Sequence, residues 1–522
     1  MHAPMPLSSM DDLTVGRIPR YAARIMPRKC ALDDGRRSVS FGELDEQIDR
    51  LAGALAGLGV GKGEVVCACL PNGIDYLVVV LAVARAGAVF CPINPRFKAF
   101  EIAALLRAAR PCAILTRAEF LADIDDAADR AQQKAIQLIV TDTAPDAQDR
   151  VLVLELTKLR EHPVGASPAV SELDCFSLMF TSGTTGEPKG ALATHRARML
   201  WVLNAAIHYG VTDTDRYLCA MPLVHSAGLT FALIHLYVGA TVRILDHFDA
   251  MAFLDVVERE KVTSSLAVPT MLAMILDALN KSHRPFALGS LKRLVTCGSP
   301  LSISAKRQVI ERISDQLYDY YGSTESNSMT VLRPSDQLRK PDSVGQPFVN
   351  VKIMIAGPQG QALAPNQRGE VWCSNPSIMS GYRDRPEETA AAFTGPWFHT
   401  GDLGYLDEEG FLYLAGRSND MIISGGTNIS PIEIERVIML HAAVLDCTVV
   451  GVPDSKWGQG VRAYVVLRDG RHLTIDELQK HCMQYLADHK KPRSLEILDQ
   501  LPKNAGGKTV KSALVEPARR QA

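Results

Sequence analysis

Thr181-Ser182-Gly183-Thr184-Thr185-Gly186-Glu187-Pro188-Lys189-Gly190 packs four hydroxyls, three glycines and one lysine into ten residues. The apolar run Cys175 to Phe180 leads in, and a second short extended stretch, Ala191 to Ala193, leads out. Glycines let backbone N–H groups turn toward one point, hydroxyls add donors, and lysine adds positive charge, an inventory that suits a polyphosphate. The loop is not of the GxxxxGK[ST] type, because Lys189 follows Pro188 and precedes Gly190. With proline before the lysine and glycine after it, no helix is expected to begin there.

A chain of 522 residues exceeds what one core can organise, so two or more domains are expected. Apolar content of 47% with 22% charged residues is ordinary for a globular protein. A formal net charge of −2 gives no reason to expect nucleic acid or an anionic membrane as partner. The eleven cysteines are scattered without a CxxC pair, which argues for a reducing compartment and against a disulfide framework or structural zinc. Met1 to Arg20 lacks the apolar core of a signal peptide, and no apolar run approaches a membrane-spanning length. A cytoplasmic protein is expected, and a homodimer stays open.

Outward from the loop, helix and strand patterns alternate. Phe41 to Leu55 has helical apolar spacing with Ser40 as N-cap, Val65 to Leu70 reads as a buried strand, Tyr76 to Arg85 as a buried helix, and Ala88 to Ile93 as another strand. Thr194 to Tyr209 reads as an amphipathic helix, and alternation resumes through Val242, Phe253 to Glu260 and Leu291. Such alternation implies parallel sheet flanked by helices. Residues 118 to 172 carry no evident chemistry. A domain boundary is expected near Gly416 to Asp420. Beyond it, Ser430, Pro431 and Glu433 read as a capping box with proline at the first helical position, and Thr474 to Glu477 as a second box. The fold expected is α/β: a large N-terminal domain (1–417) of parallel-rich sheets flanked by helices, and a small mobile C-terminal α+β domain (418–522).

Three further stretches carry chemistry. In Asp319-Tyr320-Tyr321-Gly322-Ser323-Thr324-Glu325, a glutamate after a hydroxyl-rich turn can offer oxygen ligands to magnesium beside a nucleotide phosphate. In Trp397 to Gly404, Asp402 can accept bonds from ribose hydroxyls, with Arg417 fifteen residues on adding donors. In Leu501 to Lys511, the glycine pair Gly506-Gly507 before Lys508 permits a charged side chain to reach into another domain.

In this order, from 181 to 508, these signatures resemble those of the adenylate-forming superfamily of acyl-CoA synthetases, luciferase-like enzymes and peptide-synthetase adenylation domains. The resemblance implies ATP binding by Thr181, Ser182, Gly183, Thr184, Thr185, Gly186 and Lys189. It implies that Thr324 contacts the α-phosphate, Glu325 binds Mg2+, Asp319, Tyr320 and Tyr321 border the adenine with Gly322 and Ser323, Gly298-Ser299-Pro300 covers the purine face, and Asp402 with Arg417 holds the ribose. By the same resemblance Lys508 is the catalytic lysine, His225 gates the acyl pocket near Gly228, and Ser424-Gly425-Gly426 leaves room for the pantetheine of coenzyme A. Asn419 falls at the family's hinge, where aspartate or lysine is usual, so the charge that tunes that hinge is absent here. The activity implied is adenylation of a carboxylic acid by ATP, followed by acyl transfer to CoA. Delivery to a carrier-protein thiol, an oxidative luciferase-like step and a non-catalytic nucleotide sensor remain as alternatives. Leu223 to Leu229, Val268 to Met271 and Ser326 to Met329 contain no lysine or arginine, which favours a hydrophobic monocarboxylate, fatty or aromatic.

Overall fold

A computed structural model describes residues 13–515 apart from 134–135, 143–150, 154–155, 157–167, 182–187, 418–419, 421, 425–426, 455–457, 487, 504–508 and 512. Ser182, Gly183, Thr184, Thr185, Gly186, Asn419, Gly425, Gly426 and Lys508 therefore lie outside the described residues.

The expected strand–helix alternation builds two large sheets. In one, Val65–Cys69 pairs in parallel with Val89–Pro92 on one side and Ala113–Thr116 on the other. The strand Cys175–Thr181 joins it in parallel to Val89–Pro92, then turns back as the antiparallel strand Lys189–Thr194, with Thr181 opposite Lys189. No helix begins at Lys189, as the proline before it and the glycine after it led one to expect. In the second sheet Arg216–Cys219, Ser264–Leu266, Arg293–Cys297 and Leu317–Ser323 run parallel, after which Asn327–Leu332 returns antiparallel. Gln137–Val140 and Val151–Val153 extend the first sheet at its edge, which gives the stretch 118 to 172 a structural part.

Buried helices lie between these layers. Ile74–Arg85 is buried at every residue except Asp75. Its last residue, Arg85, is buried but paired with Asp45 at 2.6 Å and Asp49 at 2.9 Å, so no charge is left uncompensated. The helix His195–Tyr209 is buried around most of its circumference rather than amphipathic, because it packs against the helix Ser226–Val238 on one side and the first sheet on the other. The alternating strands Lys352–Ala356, Gly369–Ser374, Trp397–Leu406 and Leu412–Arg417 form a third, antiparallel sheet.

Past Arg417 a separate apolar cluster gathers Ile422, Ile434, Val449, Val461 and Leu478. It forms a smaller α+β unit in which Val444–Asp454 pairs antiparallel with Gly458–Leu467. The caps at Ser40/Glu43 and Thr474/Glu477 are both reciprocal boxes. The box expected at Ser430/Glu433 is not formed. The Ser430 hydroxyl instead donates to the Ala415 carbonyl, and Glu433 is taken by Lys490 at 2.5 Å and Arg368 at 2.7 Å. These bonds tie the smaller unit to the large one at Ala415 and Arg368.

Gly322 sits at a bulge between Leu317–Ser323 and its return strand, where an added Cβ would lie 1.9 Å from the Asn327 carbonyl oxygen. Gly57, at the end of the helix Phe41–Gly57, faces nothing within 4 Å. Gly322→Ala is expected to destabilise by about 3 kcal/mol and Gly57→Ala to stabilise by about 0.5 kcal/mol. Chemical unfolding of the two variants checks both signs.

Candidate active site

The chemistry-bearing turns leave the carboxyl ends of parallel strands, where open α/β sheets form their ligand crevice. The hydroxyl-rich loop follows Thr181, the His225 segment follows Cys219, Gly298 follows Cys297, and Thr324-Glu325 follows Ser323. Gly298 has a φ of 89°, a left-handed conformation that favours glycine, and Ser299 and Pro300 beyond it are exposed. The turn bearing Thr324 and Glu325 is locked from within. Ser323 N–H donates to Ser326 Oγ and Ser326 N–H donates to Ser323 Oγ, both at 3.1 Å. Thr324 and Glu325 stand half-exposed at its tip.

The three residues ahead of that turn face different surroundings. Asp319 is buried beside the Lys306 ammonium at 3.5 Å, and Lys306, itself buried, also donates to the Pro341 carbonyl at 2.9 Å. Burial pushes the Asp319 carboxyl up to about 6, with Lys306 opposing the shift. Tyr320 is buried and stacks on Phe231, ring centroids 5.9 Å apart. The Tyr321 hydroxyl donates to Asp402 Oδ2, and Arg417 Nε donates to Asp402 Oδ1 at 2.9 Å. Asp402 and Arg417 are direct cross-strand partners. A carboxylate with two oriented donors and an adjacent guanidinium can take up a vicinal diol.

On the phosphate side Lys189 pairs with Glu388 at 2.5 Å, and its Nζ lies 5.6 Å from the centroid of the Tyr382 ring. The Tyr382 hydroxyl donates to Glu325 Oε1 at 3.4 Å. Neither Tyr382 nor Glu388 emerges from the sequence reading. Pro386-Glu387-Glu388 signals a helix start, found as Pro386–Ala391, but nothing in that signal points to a lysine two hundred residues upstream. Among the described residues no group of three His, Cys, Asp or Glu could by itself hold a metal ion. A single accessible carboxylate at a hydroxyl-rich turn fits magnesium, which takes one or two carboxylates and completes its shell with phosphate oxygens and water.

His225, expected beside the acyl pocket, caps the helix Ser226–Val238 without a side-chain cap bond. A Cβ on Gly228 would lie 2.4 Å from the Pro222 carbonyl oxygen, so the first turn of this helix packs tightly on the preceding loop. Arg198, from the neighbouring helix, is 1% exposed. It donates to Thr230 Oγ1 at 2.5 Å and Ser226 Oγ at 3.3 Å, lies against Trp201, and pairs with no carboxylate among the described residues. Burial lowers its pKa to about 10. The segments read for acyl specificity hold no lysine or arginine themselves; this one comes from another helix, which a segment-by-segment reading cannot reveal. In the smaller unit, Ser424 is buried at the end of a short strand, while Lys503 and Lys511 near the C-terminus are engaged by Asp446 and Glu435.

The family model for AMP-binding enzymes matches residues 20–383, and that for the AMP-binding enzyme C-terminal domain matches 433–508. The chain therefore belongs to the AMP-binding enzyme family, and it is a ligase of the acyl-CoA synthetase type. Feruloyl-CoA synthase from an Amycolatopsis species is 34% identical over 514 residues, covering 96% of this chain and 98% of that protein. The structure of o-succinylbenzoate CoA synthetase from Bacillus subtilis, in complex with its acyl-adenylate intermediate, matches with a TM-score of 0.83 at 30% identity, covering 95% of this chain and 97% of that one. An amide bond synthetase from Marinactinospora thermotolerans matches with a TM-score of 0.84 at 29% identity, covering 95% and 99%. Among the described residues no helix is long and apolar enough to cross a membrane.

Because Asp319 keeps its proton to higher pH when folded, its contribution to stability is full below about 4 and is lost as pH rises through about 6. Relative to Asp319→Asn, the wild type should lose stability between pH 4 and 6 and change little above. Urea unfolding at pH 4, 5, 6 and 7 checks this; a pH-independent difference between the two contradicts it.

Proposed function

We propose that this protein condenses an aromatic carboxylic acid with ATP to give an acyl-adenylate and pyrophosphate, then transfers the acyl group to coenzyme A with release of AMP. The observation that carries the reading is the convergence, from three sheets, of Lys189 and Glu325 about Tyr382 and of Tyr321 on Asp402. The aromatic acid is preferred because the most similar relatives named above act on feruloyl and succinylbenzoyl groups. In this reading the hydroxyl-rich loop and Lys189 take the polyphosphate, Thr324 the α-phosphate, and Asp402 with Arg417 the ribose. Tyr320, Tyr321 and the Gly298-to-Pro300 turn enclose the adenine, and Asp319 acts from behind them by fixing the strand. Magnesium held at Glu325 supplies charge neutralisation for the phosphates.

Neither half-reaction requires a side-chain nucleophile, because the substrate carboxylate attacks phosphorus and the CoA thiolate attacks the acyl carbon. What the chain supplies is position and preorganised charge. Lys508 bridges the carboxylate and α-phosphate oxygens during the first half. The domain beginning at residue 418 then turns about Asn419, bringing the Ser424-to-Gly426 face to the adenylate for the second half. The protein works in the cytoplasm, where ATP and CoA are both available.

Acid-dependent exchange of pyrophosphate into ATP tests the first half, and CoA-dependent AMP release tests the second. Exchange with AMP release only on addition of an amine or a carrier-protein thiol would move the acceptor to those classes, and the likeness to an amide bond synthetase makes the amine arm worth running. No exchange with any acid across a broad panel would favour a nucleotide sensor. Lys508→Ala is expected to slow the exchange on the order of a hundredfold. Thioester formation from supplied acyl-adenylate should fall much less, and equal losses in both assays would remove Lys508 from its assigned part.

A further inference from the structure

The segment Asn375 to Glu388 crosses the gap between the two sheets and is stitched to both. At its start Asn375 Nδ2 donates to the Ser326 carbonyl at 2.7 Å, Asn327 Nδ2 donates to the Ser377 carbonyl, and Met379 N–H donates to the Glu325 carbonyl at 2.8 Å. A few residues on it belongs to the other sheet. Ser380 N–H donates to the Leu192 carbonyl at 2.8 Å, Gly381 and Tyr382 pair with Leu192 and Ala191, and Arg383 N–H donates to the Gly190 carbonyl at 2.9 Å. The same strap therefore grips the backbone of the Glu325 turn and the outgoing arm of the hydroxyl-rich loop.

Tyr382 is the side chain that spans the two. Its backbone is fixed by the strand pairing and by its N–H bond to Thr389 Oγ1 at 2.9 Å. Its hydroxyl reaches Glu325 at 3.4 Å, and the face of its ring lies 5.6 Å from the Lys189 ammonium, which is paired with Glu388, itself also bound by Arg385. A rigid aromatic ring with its hydroxyl on the carboxylate and its face toward the ammonium restrains both side chains.

We propose that Tyr382 is a positioning residue: it holds the Glu325 carboxylate oriented for a divalent cation while its ring holds Lys189 toward the polyphosphate, so that cation and nucleotide bind as one unit. The proposal rests on the nucleotide-site reading above. An outer partner that orients a ligating carboxylate is worth about tenfold or more in metal affinity.

The test is ATP binding by isothermal titration calorimetry without any acid substrate, in EDTA and in magnesium, so that turnover plays no part. For the wild type, magnesium should raise ATP affinity; Glu325→Gln sets the floor by abolishing that gain. Tyr382→Phe, which deletes only the hydroxyl, should keep the magnesium-free affinity and lose about tenfold of the gain, falling between the other two. Its thermal midpoint without ligand should match the wild type. Retention of the full gain in Tyr382→Phe overturns the proposal, as does an equal loss with and without magnesium. Failure of the wild type to bind ATP under either condition overturns the nucleotide reading and this inference with it, whereas binding with a magnesium gain that Tyr382→Phe leaves intact removes only the inference.

Discussion

Asp402 joins the parts of this molecule that matter for its chemistry. Its side chain, 14% exposed, receives the Tyr321 hydroxyl from the second sheet and Arg417 from the strand that leads toward the smaller unit. Its own N–H is held by Thr400 at 3.0 Å. A charge this shielded is costly unless its oxygens are satisfied, and here each oxygen has a donor that belongs to a different sheet. Replacing it would not simply remove a contact to a ligand; it would leave a tyrosine hydroxyl and a guanidinium aimed at nothing across the junction of two sheets. The geometry around Asp402 and the relative setting of the sheets are the same constraint.

The phosphate side is built on the same principle with a different device. There the two sheets are joined by backbone, along the strap from Asn375 to Arg383, and the side chains that face the crevice are carried on it. Glycines in its two paired strands fit tight packing within their own elements. A Cβ on Gly190 would lie 2.6 Å from Leu178 Cδ1, and one on Gly381 would lie 2.8 Å from Thr389 Cγ2. The crevice is therefore defined by elements that cannot shift independently, which is what a site working by position and charge needs.

Much of this was legible in the sequence because it is local. The lack of a helix start at Lys189 follows from the proline and glycine flanking it, the buried helix Ile74–Arg85 from an unbroken apolar run, the cap at Ser40 from the helical spacing beyond it, and the box at Thr474 from its glutamate three residues on. Asp402 and Arg417 were paired by motif and stand as register partners. What escaped is non-local. Ser430 loses its cap to the Ala415 carbonyl, Glu433 is claimed by Lys490 and Arg368, and Arg198 enters behind the acyl segment from another helix. Tyr382 meets Glu325 and Lys189 only because the strap is held by bonds to both sheets. Asp319, read beside the adenine, turns inward to Lys306 because alternation along its strand aims it away from Tyr320. Each of these depends on which surfaces the fold brings together, which periodicity and spacing do not encode.

The most direct measurement is a crystal structure of the protein with a non-hydrolysable ATP analogue and magnesium. The triphosphate should lie between the 181–190 segment and the Glu325 turn, with the ribose hydroxyls on Asp402 and the metal within about 2.1 Å of a Glu325 oxygen. Nucleotide bound elsewhere, or bound with its ribose away from Asp402 and its phosphates away from Lys189, would contradict the claim that these separate segments form one site.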